Sequence, residues 1–236
     1  MSLAAKSAPE PAFDAYDATY KNVVQDSLAF SGLKYDFFLR SKAGLLADLI
    51  AEQLPDCPKP KVLDVGCGVG ALHPLLAPLC GELHGADISA ACIEQARRDN
   101  PQVAYQAYSG VTLPYADGQF DMVTAICVMH HVPPADWPAF AAELKRIVRP
   151  GGLVCVIEHN PHNPVTRLSV MRCPFDEDAV LLKSAQTRAL LAGAGLAQTQ
   201  SRYFVFIPII RAWARRLERR LARLPLGAQY VTFGRA

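Results

Sequence analysis

Between residues 61 and 158, short aliphatic runs alternate with helix-like stretches, and this restricts the fold more than any other property of the chain. KVLDV (61–65), ELHGADI (82–88), VAYQAY (103–108), FDMVTAICV (120–128) and LVCVIE (153–158) read as strands. A stretch at about 70–79, SAACIEQARRD (89–99) and DWPAFAAELKRIV (136–148) read as helices. Strands separated by helices form a parallel sheet covered on both faces. In such sheets ligands bind beyond the carboxyl ends of the strands, near the point where strand order reverses. Upstream, DAYDATYKNVV (14–24) and DFFLRSKAGLLADLIAEQL (36–54) show three-to-four spacing of apolar residues, the mark of helices. Downstream come a loop-rich stretch (159–183), a helix (184–195) and two closing strands (198–207 and 228–234).

A length of 236 residues suits one α/β domain, and 51% hydrophobic residues suffice for a large core. Residues 1–12 read as a disordered tail and 13–236 as a single domain. That domain divides into a helical cap at 13–55, a core at 60–160 and a closing segment at 161–236. The net charge of +2 gives no overall attraction to nucleic acid. It is unevenly placed: residues 211–223 carry six Arg and one Glu, hence +5, which leaves −3 for the rest. Seven scattered cysteines without a CxxC pair read as reduced thiols in a cytoplasmic protein, not as a disulfide framework or a zinc site. The start lacks the apolar core of a signal peptide, and YFVFIPII (203–210), the longest apolar stretch, is too short to span a bilayer.

VLDVGCGVG (62–70) is a strand entering a glycine turn. Gly66, Gly68 and Gly70 permit positive φ and close approach of a ligand to the backbone. Asp87, about 20 residues on, ends the second strand, where an acid accepts hydrogen bonds from a ribose diol. A nicotinamide dinucleotide and S-adenosylmethionine both satisfy this pattern. The GxGxG spacing and Asp64 inside the strand favour the second, since an acid there can receive a cationic amino group that a dinucleotide lacks.

VLDVGCGVG, GADIS, LPYADGQFDMVTA, VMHHV and ELKRIVRPGGLVCVIE stand in an order and spacing that resemble the class I S-adenosylmethionine-dependent methyltransferases, small-molecule type (methyltransferase type 11/12-like). The resemblance covers about residues 60–160. It implies a doubly wound, Rossmann-like, mostly parallel seven-stranded sheet with an N-terminal helical cap. It implies S-adenosylmethionine as cofactor and S-adenosylhomocysteine as product. By the same resemblance Gly66 and Gly68 border the methionine end, Asp87 takes the ribose and Ile88 lies against adenine. Ala125 and Ile126 are further cofactor neighbours. The family commonly has an acid for the adenine amino group where this chain has Ser109, beside Gly110; a hydroxyl accepts that bond without charge assistance.

Methyl transfer to oxygen or nitrogen needs a free lone pair, so a hydroxyl acceptor calls for a base, usually His at neutral pH. His130, His131, His159 and His162 are the candidates, with His131, His159 and His130 foremost. The block IEHNPHNP (157–164) leaves three roles open: a metal site of Glu158, His159 and His162; a structural turn stiffened by Pro161 and Pro164; or acceptor binding by His159 with Asn160. Similar methyltransferases carry an EHNPxNPxTR block followed by CPFDED, as here at 158–167 and 173–178. Tyr16, Tyr20 and Phe37 or Phe38 of the helical cap could face an acceptor. IIRAWARRLERRLARL (209–224) places Ile210, Trp213, Leu217, Leu221 and Leu224 on one helical stripe with Arg opposite. Such a helix covers a sheet or lies on an anionic membrane. The expected function is methylation of a small molecule, foremost at oxygen, by a monomer or homodimer without a nucleic-acid partner or a bound metal. The alternatives are a catalytically silent cofactor-binding protein, suggested by Ser109, an N- or C-methyltransferase of a lipid-linked acceptor, and a nicotinamide oxidoreductase.

Overall fold

The computed structural model describes residues 25–26, 32–110 and 112–236. The tail 1–12, Tyr16 and Tyr20 therefore lie outside the described residues. The helices are α1 (Tyr35–Gln53), α2 (His73–Leu76), α3 (Ala90–Asp99), α4 (Trp137–Ile147), α5 (Pro164–Arg172), α6 (Ser184–Gly193) and α7 (Ala212–Leu221). The strands are β1 (Lys61–Val65), β2 (Glu82–Asp87), β3 (Ala104–Ala107), β4 (Phe120–Ile126), β5 (Val148–His159), β6 (Ala197–Phe204) and β7 (Gln229–Arg235). They form one sheet in the order β3-β2-β1-β4-β5-β7-β6. All neighbours pair in parallel except β7, which runs antiparallel between β5 and β6. The chain winds outward from β1 to β3, then returns to pair β4 on the other side of β1. That reversal puts the ends of β1 and β4 at the switch point, as the alternation predicted.

Alternate residues of each strand enter opposite cores. Val62, Met122, Leu153 and Cys155 face one layer with Ala43, Leu46, Leu49 and Ile50 of α1. Leu63, Val123, Val154 and Val156 face the other with Phe140 and Leu144 of α4 and Leu191 of α6. Full burial of each such aliphatic side chain contributes about 1.5–3 kcal/mol. The buried stripe of α1 also includes Lys42, where its period would place an apolar residue.

Three elements differ from the sequence reading. The helix expected at about 70–79 is a four-residue α-turn, His73–Leu76, followed by a 3-10 turn, Ala77–Leu79. Pro74 and Pro78 open the two turns, and a proline inside a longer helix would remove a hydrogen bond. The stretch 159–183 contains α5, whose Val165, Leu168 and Met171 are exposed instead of packing on the sheet, Val165 at the cavity. Its start is fixed locally: Asn163 caps the helix by accepting from Thr166 N at 3.0 Å, and Pro164 occupies the first turn. The basic helix is shorter than 209–224, spanning Ala212–Leu221.

Candidate active site

A cavity of about 1150 Å³ opens at the carboxyl ends of β1, β2, β4 and β5, with the start of α1 as one wall. At the β2 end stands Asp87. Its carboxylate accepts from Gly68 N at 2.7 Å and Ser89 N at 2.9 Å, fixing it against the glycine turn. Burial pushes its pKa up from the ordinary value, against those two backbone bonds. Ile88 leaves 46% of its surface exposed although large and apolar, and it lines the cavity beside Ser109 and Gly110. Gly68 and Gly110 have φ of +52° and +75°, and an added Cβ at either would meet no protein atom within 4 Å. The backbone there borders open space a ligand can enter. Gly66 differs: its Cβ would strike Val128, so glycine is required by packing. Asp64 also lines the cavity, braced by Thr124 Oγ1 at 2.7 Å and His73 Nε2 at 3.2 Å.

At the β5 end lies a charged cluster. Glu158 is fully buried and accepts from Met129 N at 2.8 Å and Val128 N at 3.3 Å. Its other oxygen binds His130 Nδ1. His130 Nε2 sits 3.3 Å from Asp176 Oδ1 but off the hydrogen-bond line, so among the described residues it has no hydrogen-bond partner. Burial opposes charge on His130, yet Glu158 and Asp176 outweigh it and raise the pKa to about 10. The same ring holds Glu158 below the ordinary carboxylate range, against burial. His131 responds in the opposite sense: burial first, then the charge on His130, push it down to about 4. A cation between two carboxylates thus keeps its neighbour neutral.

A second cluster adjoins the first. Cys127 follows β4 with φ of +57°, a conformation a non-glycine residue holds at a cost of order 1–3 kcal/mol. Lys42 Nζ reaches Cys127 Sγ at 3.3 Å from the buried stripe of α1. Gln229, 2% exposed, stands 3.6 Å from the same sulfur and 3.5 Å from His159 Nδ1, with its Oε1 lacking a partner among the described residues. Burial would raise the Cys127 thiol, but the Lys42 ammonium and then His159 pull it down to about 7.

The block 157–164 divides its labour. Glu158 clamps the turn that carries His130 and His131. His159 faces the cavity. Asn160, fully buried, donates to Pro225 O at 3.1 Å and Gly227 O at 2.7 Å and accepts from His162 N at 3.0 Å, which is a structural tie. His162 is exposed and does not line the cavity. Glu158, His159 and His162 do not converge; the one metal-compatible trio among the described residues is His130, His131 and Asp176, with ligating atoms within 4.8 Å.

Of the residues anticipated at the site, Asp64, Gly66, Gly68, Asp87, Ile88, Ser109, Gly110, Ile126, His130, His131 and His159 line the cavity. Ala125 does not: it is fully buried in the core on the α4 face, because its neighbour Ile126 takes the cavity side of the strand. Phe38 lines the cavity, whereas Phe37 packs edge-on against it at 5.3 Å. Lys42, Cys127, Asp176 and Gln229 escaped the sequence reading. Lys42 alone carried a signal, a charge interrupting an apolar stripe.

Residues 63–156 match the family model described as a methyltransferase domain. A ubiquinone biosynthesis O-methyltransferase of Mesorhizobium japonicum is 29% identical over 66% of this chain and 67% of its own length. An uncharacterized methyltransferase of Synechocystis is 31% identical over 48% of this chain and 53% of its own, so the chain spans about half of that relative. Among solved structures, an S-adenosylmethionine-dependent methyltransferase from Thermotoga maritima superposes with a TM-score of 0.67 at 17% identity, covering 94% of this chain and 97% of that one. Residues 63–156 thus form a methyltransferase domain, on the fold of the S-adenosylmethionine-dependent methyltransferases.

The cavity fits the cofactor of the S-adenosylmethionine-dependent methyltransferases. The open space beside Gly68 and Gly110 and the buried Asp87 facing the cavity are what a nucleoside with a vicinal diol requires. Asp87 would hold the ribose, Ile88 and Ser109 would flank adenine, and the turn Gly66–Gly68 with Asp64 would hold the amino-acid end. When bound, the cofactor supplies a methyl group already activated on a sulfonium. Three strand spacings separate the β2 end from the β5 end, about 14 Å, so the His130 and Cys127 clusters lie at the other end of the cavity from Asp87.

Proposed function

We propose that this methyltransferase methylates an oxygen of a small-molecule acceptor. The observation that carries the reading is the pair of unlike groups on the acceptor side: His131 kept neutral and Cys127 held near pH 7. A neutral amine already offers its lone pair and needs neither, whereas a phenol or other acidic hydroxyl must lose a proton. The name of the Mesorhizobium relative, an O-methyltransferase, supports the same direction. In this reading neutral His131 donates its ring N–H to a lone pair of the acceptor oxygen and, with a pKa of about 4, does not take the hydroxyl's proton. The Cys127 thiolate, matched to the working pH and backed by Lys42 and His159, takes the proton as the O–H bond breaks. His130 positions: clamped between Glu158 and Asp176, it has no lone pair to offer at neutral pH.

Labelled S-adenosylmethionine with a panel of phenols, hydroxy acids and amines tests the assignment, with product structures read by NMR. Methyl ethers or esters are expected. N- or C-methyl products overturn the oxygen assignment, and cofactor binding without transfer to any acceptor favours a silent binding protein. For the base, Cys127→Ser is expected to lower kcat/KM by about 10²–10⁴ and remove an ascending limb near pH 7. A limb that survives the substitution assigns the proton elsewhere.

A further inference from the structure

We infer that the outward face of α7, with the segment 209–210 leading into it, is a docking surface for an anionic lipid bilayer. The helix is fastened to the body by one side only. Ala214 is 1% exposed, and Arg215 donates to Gly44 O at 2.9 Å and to Asp48 Oδ1 at 2.7 Å. Glu218, the only acid of the helix, turns inward and accepts from Phe206 N at 2.9 Å and Ile207 N at 3.3 Å. What remains faces out. Trp213 and Leu217, one turn apart, are 54% and 38% exposed, with Ile209 and Ile210 at 40% and 44% before them. Arg216 and Arg220 flank the Trp213–Leu217 stripe, exposed, and neither has an acidic partner among the described residues. The apolar stripe therefore does not cover the sheet.

The chemistry selects the occupant. A tryptophan among aliphatic side chains, flanked by cations and stripped of its one acid, matches the boundary between headgroups and acyl chains. A second copy of the same face would set arginine against arginine. A nucleic-acid backbone would satisfy the arginines but leave Ile209, Ile210 and Leu217 in water. Among the described residues no helix is long and apolar enough to cross a membrane, so the contact is peripheral. Phe206 and Pro208 line the cavity and run directly into Ile209, so the docked face adjoins the cavity mouth. An amphiphilic acceptor could then enter from the lipid without crossing water.

The test is co-sedimentation of the full chain with phosphatidylglycerol/phosphatidylcholine vesicles and with pure phosphatidylcholine vesicles, alongside Trp213 fluorescence. Binding to the anionic vesicles only, weakened by salt, with a blue shift absent from Trp213→Phe, is the expected result. Arg216→Glu/Arg220→Glu is expected to lower partitioning at least ~10-fold. Its affinity for S-adenosylhomocysteine should be unchanged, which shows that the variant folds and keeps this outcome separate from the catalytic assignment. No pelleting with anionic vesicles overturns the inference. So does equal, salt-insensitive binding to both vesicle types, or retention on nucleic acid alone.

Discussion

Asp87 spends one hydrogen bond per oxygen on the glycine turn and keeps its remaining lone pairs toward the cavity. Charged hydrogen bonds to a diol contribute about 1.5–3 kcal/mol each. Asp87→Ala, which removes both, should therefore weaken S-adenosylhomocysteine binding about 10²- to 10⁴-fold by calorimetry, and Asp87→Asn, which keeps one acceptor, should lose less. Cys127 makes a different point at the same scale. Its backbone sits in a strained region and its thiol is pulled toward ionisation by a lysine 85 positions away in the chain. Neither property can be read from the letters AICVM. Strain and a displaced pKa at one residue are the marks of a site.

Among elements, the Glu158–His130 pair ties β5 to the 3-10 turn Met129–His131, and Asp176 extends the tie to the turn Pro174–Asp176. Glu158→Ala would strand a buried imidazolium and should cost about 3–5 kcal/mol in chemical denaturation. The pair also sets a pH dependence. His130, raised to about 10, contributes fully below its unfolded value of 6.5 and loses that contribution as pH rises toward 10. Glu158, lowered, contributes fully above its unfolded value of 4.5 and loses it as pH falls. His131, lowered to about 4, penalises folding as pH falls from 6.5 toward 4, because the unfolded chain takes the proton first. Melting temperature should therefore peak at about pH 6–7 and decline on both sides; a curve that climbs steadily to pH 10 would contradict the His130 assignment. Asn160 joins the end of β5 to residues 225–227 without touching the cavity. Asn160→Ala should cost about 2–3 kcal/mol, through buried carbonyls left unpaired, while cofactor affinity holds.

For the whole molecule, ligand binding to the folded state alone should raise stability by about 2.7 kcal/mol at a hundredfold excess over Kd. For a chain of 236 residues that corresponds to a rise of about 5–10 °C in melting temperature with S-adenosylhomocysteine, and none with a nicotinamide dinucleotide. The sheet sets the distance between the two ends of the cavity. Asp87, Asp64, Cys127 and His159 stand at the ends of β2, β1, β4 and β5, and these four strands are neighbours in that order. One rigid edge spaces these four groups without any loop having to fold between them.

The parallel sheet, the glycine turn and Asp87 were legible from the letters because each depends on residues close in the chain: alternating periodicity, positive φ, and an acid at a strand end. His131 and His159 were legible as candidates on the same grounds, and their surroundings were not. Lys42, Cys127, Asp176 and Gln229 come from α1, the end of β4, the turn after α5 and the start of β7, and only packing brings them to one wall. The basic helix shows the same division. Its period defines an apolar stripe, but which side meets the body was decided by Gly44 and Asp48, some 170 residues distant, which capture Arg215 and leave Trp213 facing out. Local order follows from dihedral preference and periodicity, whereas the partner of a buried charge and the outer face of a docked helix follow from contacts that exist only once the chain has closed.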